Sequence, residues 1–280
     1  MKAFAQVLQL IRLRAEVYYD ATQCGEWTLD NPPSGLTCFH LLIEGQCTLE
    51  IPQVFSGQLQ QGDLVVFPYE VAHTLRSISS DEATSVICGH IFFEHQASHH
   101  VLQALPRFLH LSASATQAWL LPLQQLISYE KAARPTLSQP MIERLSELLF
   151  LHVLHHVVAH TPALSGVLAL YAHPKLCQAI NYMHDHVEEF PTLVQLASIA
   201  GMSRTSFCQR FKQHSGLTPF EYLTWWKMQL AWQSLKAGDT VQQVAEQVGY
   251  ASEAAFSRSF KRQFGVHAGS VRETIPSSKR

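Results

Sequence analysis

The sequence predicts a multidomain α+β protein: a small antiparallel β-barrel or sandwich first, a helical segment after it, and an all-α C-terminal third. Three observations carry this. Short apolar runs with turn punctuation fill residues 20–111, helical periodicity takes over from Ser114, and the last hundred residues contain one helical pattern twice. With 280 residues, 47% hydrophobic and 15% charged, the chain has material for two cores and is not globally disordered.

The opening stretch MKAFAQVLQLIRLRAEVYYD carries Arg12 and Arg14 inside its apolar run and has no small-residue cleavage site. It reads as an amphipathic helix or strand lead-in, not a signal peptide. No run of 18 apolar residues occurs, so no membrane span is expected and the chain reads as cytoplasmic. The strand candidates TCFHLLI, TLEI, DLVVFP and SVICGHIFF are broken by Glu44-Gly45, Gly57, Gly62-Asp63 and Pro68. That spacing is the reason for a barrel or sandwich. From Ser114 to about His160 the pattern is helical, with Pro135 and Pro140 breaking it into two helices and a loop through Pro162 and Gly166 ending it. Ile142, Leu145 and Leu149 form a broad apolar stripe in the second of these, suited to packing on the barrel or to a homodimer.

The repeat is the strongest feature. Thr192-Leu-Val-Gln195 and Thr240-Val-Gln-Gln243 are capping boxes, each opening a short helix that ends at Gly201 or Gly249. A serine able to cap follows, Ser203 or Ser252. In the next helix Phe207 and Phe211, or Phe256 and Phe260, sit four apart and face a core. Lys212 matches Lys261 and Gly216 matches Gly265, at an offset of 48 residues before the turn and 49 after it. Two helix-turn-helix units therefore lie in tandem. Between them Thr218-Pro219-Phe220-Glu221, a third capping box with proline at the first helical position, opens a long connecting helix.

At about 100° per residue, the face opposite Phe207 carries Thr205, Gln209 and Lys212 with Cys208 on the flank, and Arg204 starts the helix. Opposite Phe256 lie Ala254, Arg258 and Lys261, with Ser257 on the flank. Polar residues on a helix usually just face water. Two equivalent helices with matching cores make a pair of DNA-reading surfaces the stronger reading, with Arg suited to guanine, Gln to adenine, and Lys212 and Lys261 to phosphate. Charge agrees: from Pro174 onward there are twelve Lys and Arg against eight Asp and Glu, net +4, while the first 173 residues are net −6.

The six cysteines form no CxxC, so neither a zinc ribbon nor a thioredoxin motif is indicated. Most read as buried small hydrophobes. Cys24 differs, because TQCGEW is a polar, glycine-containing stretch in which a thiol is accessible; Cys177 reads as packed in a helix. Strand alternation puts Cys38 and His40 on one face, and Cys88 and His90 on one face. With both faces inward, His73 joins a His/Cys set suited to zinc or another transition metal, with His40, His73 and Cys88 as the candidate ligands. His152, His156 and His160 recur at helical spacing and read as a solvated or interface stripe.

The stretches LASIAGMSRTSFCQRFKQHSGLTPFEYLTWWKMQLAWQSL and VAEQVGYASEAAFSRSFKRQFG resemble the DNA-binding domain of AraC-type regulators, over roughly residues 175–273. The resemblance implies two recognition helices in successive major grooves, with Thr205, Cys208, Gln209 and Arg258 as base readers. The ending departs from the family: Ala268 and Val271 stand where a proline and a tyrosine are usual, which puts the capping of the last helix in doubt. CFHLLIEGQCTLEI, GQLQQGDLVVFPYEVAHTL and ICGHIFF resemble a cupin-type sensing domain, with Glu70 where a glycine is common and Leu42 leaving the first cupin motif incomplete. The whole pattern is similar to the reactive-chlorine-responsive branch, which implies Cys24 and Cys88 as sensor cysteines.

The expected layout is thus a cupin-like β-barrel over 1–111, a helical linker or dimerisation segment over 112–173, and a tandem helix-turn-helix domain over 174–280. The expected function is a DNA-binding transcription regulator, an activator, responding to an oxidant. Its expected partners are double-stranded DNA, RNA polymerase and a second copy of the chain. A barrel that senses a small ligand or a metal is the alternative; a cupin metalloenzyme is disfavoured by the incomplete ligand motif, and no cofactor is required.

Overall fold

The structure is a computed structural model of the chain, describing residues 2–69, 71–93, 97–133, 138–161 and 164–273. Glu70, Pro135 and Pro162, singled out above, lie outside the described residues. Two compact units emerge. One comprises residues 12–95 and 105–157, the other residues 1–11, 96–104 and 158–280.

The first unit is built on two antiparallel sheets. One contains β1 (Leu13–Gln23), β3 (Thr37–Glu44), β6 (Leu64–Phe67), β8 (Thr84–Phe93) and β9 (Leu109–Leu111), in the order β1-β8-β3-β6-β9. The other contains β2 (Thr28–Asn31), β4 (Gln46–Ile51), β5 (Phe55–Gln60) and β7 (His73–Ser77), in the order β2-β7-β4-β5. Strand alternation sends every second residue inward. Cys38 and Leu42 of β3, Cys47, Leu49 and Ile51 of β4, Val65 and Phe67 of β6, Leu75 of β7, and Val86 and Cys88 of β8 meet there as one buried cluster. The other face of β3 is buried as well, with Phe39 and Leu41 both at 0% exposure, so the strand is buried without interruption from Thr37 to Ile43.

That face is covered by α3 (Ala113–Ala133) and α4 (Gln139–His160), which begins with Pro140 at its second position. Gln124 of α3 donates to the backbone carbonyls of Leu42 and Ile43 at 3.2 and 2.9 Å, and Gln139 of α4 donates to that of Val17 at 3.1 Å. Trp119 stacks on His152 at 5.2 Å, so of the two readings of the histidine stripe, solvated or interface, His152 takes part in a helix–helix contact. The Gly62-Asp63 turn anchors the assembly. Buried Asp63 accepts from the amides of Gln60 and Ala113 at 3.0 and 2.9 Å and pairs with His110 at 3.0 Å.

The second unit is all helical. It contains α5 (Val167–Ala172), α6 (Pro174–Asp185), α7 (Leu193–Ile199), α8 (Arg204–Ser215), α9 (Pro219–Ala237), α10 (Val241–Gln247), α11 (Glu253–Phe264) and α12 (Ala268–Glu273). All three capping boxes form as read: the side chains of Thr192, Thr218 and Thr240 accept from the N3 amides, and Gln195, Glu221 and Gln243 reach back. Ala268 and Val271, where the family pattern is broken, are buried and bring α12 onto α9 and α11.

Two early segments join this unit, α1 (Lys2–Leu10) and α2 (Ala97–Gln103). The amphipathic reading of the N-terminus holds as a helix whose Phe4, Val7 and Leu10 are buried. The amide of Ala3, in its first turn, donates to Asn181 Oδ1 at 2.9 Å, and Lys2 pairs with Asp185 at 2.7 Å. His184 of α6 ties these layers together. Its Nδ1 meets Gln6 Oε1 at 3.1 Å, its Nε2 meets the Tyr222 hydroxyl at 2.7 Å, and its ring lies flat on Trp226 at 3.5 Å. Tyr222 in turn shares a 2.7 Å hydrogen bond with Tyr171 of α5. Burial holds the imidazole down to about 3, so it is neutral.

Candidate functional site

The helical unit presents two recognition helices, α8 and α11, each following a tight glycine turn. Gly201 and Gly249 have φ of 59° and 77°, which only glycine adopts without strain, and Ser203 and Ser252 cap the helices that follow. Phe207 and Phe211 are buried on α8, Phe256 and Phe260 on α11. The opposite faces are open as the helical geometry requires: Arg204, Thr205, Gln209, Lys212, Arg258 and Lys261 are exposed, and Cys208 and Ser257 are half-buried on the flanks. Lys175 and Arg210, not singled out in the sequence, line a surface groove of about 430 Å³ beside Gly201 and Ser206. The excess of basic residues after Pro174 was the available signal.

The two helix-turn-helix motifs are bridged by α9 and by Lys227 in its middle. This lysine is fully buried, yet its ammonium donates to the carbonyls of Glu189 and Val248 at 2.8 and 2.9 Å. Those carbonyls precede the first helix-turn-helix and end α10 of the second. The ammonium also lies 3.5 Å from the centre of the Phe190 ring. Desolvation lowers its pKa to about 8, so it keeps its proton at neutral pH.

The barrel interior holds the second arrangement. Cross-strand pairing sets His40 opposite Cys88 and Cys38 opposite His90, all on the inward face. The expected His/Cys grouping forms with one change of member: Cys38 Sγ, His40 and His73 lie within 4.8 Å of one another, and Cys88 is not in the group. His40 Nε2 and His73 Nε2 are 2.6 Å apart. His73 Nδ1 donates to the Val71 carbonyl at 2.7 Å, which leaves its Nε2 as the lone-pair nitrogen, while His40 Nδ1 is buried without a partner. Burial pushes the Cys38 thiol up to about 12 and lowers both imidazoles, His40 well below its usual range. A cavity of about 250 Å³ opens beside the group, lined by Cys38 and His73 together with Tyr18, Asn31, Tyr69 and His90. The residues fit a transition metal through neutral imidazoles and a thiolate, with Val71 orienting one ring.

The two cysteines implied as sensors are far apart. Cys88 pairs with Tyr19 across β1 and β8, whose pairing continues to Gln23 opposite Thr84, and Cys24 follows Gln23. Five strand residues correspond to about 16 Å, more than twice the roughly 7 Å that a disulfide spans between Cα atoms. Cys24 is exposed as expected from its context, whereas Cys88 is fully buried and its thiol is pushed well up by desolvation. Cys177 is buried in α6. No described helix is long and apolar enough to cross a membrane.

Two families match this chain, one described as Cupin over residues 2–159 and one as Helix-turn-helix domain over residues 196–274. The RCS-specific HTH-type transcriptional activator RclR of Escherichia coli (strain K12) is 30% identical over 98% of this chain and 98% of its own. The HTH-type transcriptional regulator AlkR of Acinetobacter baylyi is 27% identical over 94% of this chain and 96% of its own. Among solved structures, fatty-acid-bound ToxT of Vibrio cholerae is 14% identical over 96% of this chain and 97% of its own, at a TM-score of 0.41. The relatives are named as regulators, not as enzymes. Matched by the cupin family over more than half its length and by such a regulator from end to end, the chain belongs to the AraC-type helix-turn-helix regulators with an N-terminal cupin domain, and it is a DNA-binding transcription regulator.

Proposed function

We propose that the chain is a cytoplasmic transcription activator whose cupin domain responds to a reactive chlorine oxidant through cysteine chemistry. The observation that carries this reading is the end-to-end likeness to an activator named as RCS-specific. In support, Cys24 is the only exposed one of the six cysteines, so an oxidant meets it first. Capture of oxidised Cys24 by Cys88 then requires the end of β1 to leave β8 beyond Tyr19. β1 follows α1 after two residues, so release of that strand has a short covalent route to the helical unit.

On the DNA side, Thr205, Cys208, Gln209, Ser257 and Arg258 read bases, while Arg204, Lys212 and Lys261 hold phosphates. Exposed Leu121, Leu126 and Tyr129 on α3 and Met141 and Leu148 on α4 suit a homodimer. RNA polymerase is the partner an activator requires.

A gel shift of the full chain on its own upstream DNA, with and without hypochlorous acid, tests this. Cys24→Ala and Cys88→Ala are each expected to abolish the oxidant response and leave basal binding intact. A Cys24→Ala chain that still responds fully overturns the cysteine route. A second reading, in which the barrel senses a metal or a small ligand, is favoured by the cavity beside Cys38, His40 and His73.

A further inference from the structure

We propose that Cys38 Sγ, His40 Nε2 and His73 Nε2 together bind one zinc-type transition-metal ion inside the barrel, with its fourth position open to the cavity bounded by Tyr18 and His90. This rests on the metal-sensing reading of the barrel and identifies its ligands.

The first support is convergence. Three donors from two different sheets, two neutral nitrogens and one sulfur, point at one place in a buried core. A Cys/His/His set with three protein ligands is a zinc donor set that leaves one position for water or an exogenous ligand. The second support is an unresolved hydrogen-bond count. With His73 Nδ1 committed to Val71, the 2.6 Å contact between the two Nε2 atoms leaves His40 with a buried, unpartnered nitrogen. If His40 Nε2 donates to His73, its Nδ1 lone pair is orphaned; if neither Nε2 carries a proton, two lone pairs face each other. An ion bound by both uses both lone pairs once the rings part to the roughly 3.3 Å that two bonds of about 2.0–2.1 Å at a tetrahedral ion require, and Val71 already holds His73 in the matching tautomer.

The third support is access. Cys38 and His73 both line the 250 Å³ cavity, and so do Tyr18 and His90, stacked at 4.4 Å, with Tyr18 hydrogen-bonded to Asn31 at 2.9 Å. The donor group therefore borders a space lined by polar and aromatic side chains. The other metal-capable group among the described residues, His186 with Glu188 and Glu189, lies at the surface, where such clusters are common without an ion. Cys88 sits opposite His40 in the same sheet yet outside the donor group, so the proposal separates the two buried thiols by function.

The test uses the full-length chain, stripped with chelator and then titrated with zinc or cobalt(II). One ion per chain should survive gel filtration, and the cobalt form should show a thiolate charge-transfer absorption in the near ultraviolet. Cys38→Ser should abolish that absorption. His73→Gln should weaken zinc by more than the roughly 10–100-fold that losing a supporting outer contact costs. Cys88→Ser and His186→Ala should keep both the ion and the absorption. If Cys38→Ser does not fold, X-ray absorption on the zinc-loaded wild type decides, since one sulfur at about 2.3 Å and two histidine nitrogens at about 2.0–2.1 Å are required. A folded wild type that binds no ion, a cobalt absorption that survives Cys38→Ser, or one that disappears in Cys88→Ser overturns the proposal. DNA binding is measured on the same loaded and stripped samples. An ion bound as described whose removal leaves DNA binding unchanged would sink the metal-sensing reading and leave the site standing.

Discussion

The two helix-turn-helix units share one pattern and are anchored differently. In the first, the turn at Gly201 stands free: a Cβ placed there meets nothing within 4 Å. In the second, a Cβ on Gly249 would come within 1.8 Å of the Glu188 carbonyl oxygen. The next residue repeats the contrast. Met202 follows the first glycine, whereas its counterpart Tyr250 donates to Ser259 at 2.9 Å and packs edge-on against Phe190 at 5.7 Å. The recognition helices differ in the same sense. On α11 Phe256, Phe260 and Phe264 form a ladder closed by Trp232, which stacks on Phe260 at 5.8 Å. On α8 the ladder stops at Phe211, because Ser215 stands where the second unit has Phe264 and turns its hydroxyl back to the Phe211 carbonyl at 2.7 Å. A repeated motif fixes the shape of each reader. How firmly each turn is held depends on contacts outside the motif, and at the turn those favour the second.

The largest expected effect follows from the glycines. Gly201→Ala incurs only the left-handed backbone penalty, about 1–2 kcal/mol. Gly249→Ala adds a clash with rigid backbone, and with an overpacking cost of roughly 1–3 kcal/mol on top it should lose about 3 kcal/mol or more. Urea unfolding of the two variants measures this directly. Equal losses would show that the Gly249 turn is not packed on the Glu188 segment, and the comparison would fail.

The second effect separates the units by pH. His184 supports the first helix-turn-helix through Tyr222, which packs edge-on against Phe211 of α8 at 5.7 Å, and the second helix-turn-helix holds no buried histidine among the described residues. Its imidazole titrates near 6.5 when unfolded and is held to about 3 when folded. The unfolded chain therefore binds the extra proton between those values. Stability is full above pH 6.5 and is lost as pH falls, by on the order of 2 kcal/mol at pH 5. His184→Phe should flatten this dependence. Hydrogen exchange at pH 5 should quicken in α8 before α11; the reverse order would mean that His184 does not serve the first unit selectively.

These contrasts show where sequence suffices. Capping boxes, αL glycines and Phe-x₃-Phe pairs are interactions among residues three to six apart, so they are legible without a fold. Strand alternation is equally local, and it placed Cys38, His40, Cys88 and His90 on inward faces. It could not choose between Cys38 and Cys88 as the partner of His73, because that depends on how β3 faces β7 of the other sheet. Nor could it exclude a close approach of Cys24 and Cys88, which rests on the register of β1 against β8. The docking of α1 spans 178 positions between Ala3 and Asn181, and no local pattern encodes it. Lys227 is the sharpest case: a lysine inside a helix reads as solvent-facing, and only its neighbours Trp226 and Met228, both buried, hinted otherwise.

The smallest expected effect concerns what each reader touches, and it asks whether firm anchoring goes with base reading. Position for position, Gln209 of α8 answers to Arg258 of α11, and the first helix opens with Arg204 where the second opens with Glu253. The firmly held helix thus carries the residue able to grip guanine in two places, while the freer one carries more charge suited to phosphate. Arg258→Ala should cost about 1–3 kcal/mol on the preferred sequence and relax preference at one position of one half-site. Lys212→Ala and Lys261→Ala should weaken all sequences alike and lower the salt slope by roughly one unit each. Gel shifts on a matched set of single-base variants, at several salt concentrations, read both quantities. An Arg258→Ala chain that weakens on every sequence equally would place that side chain on phosphate and leave the two helices alike in role, however differently they are held.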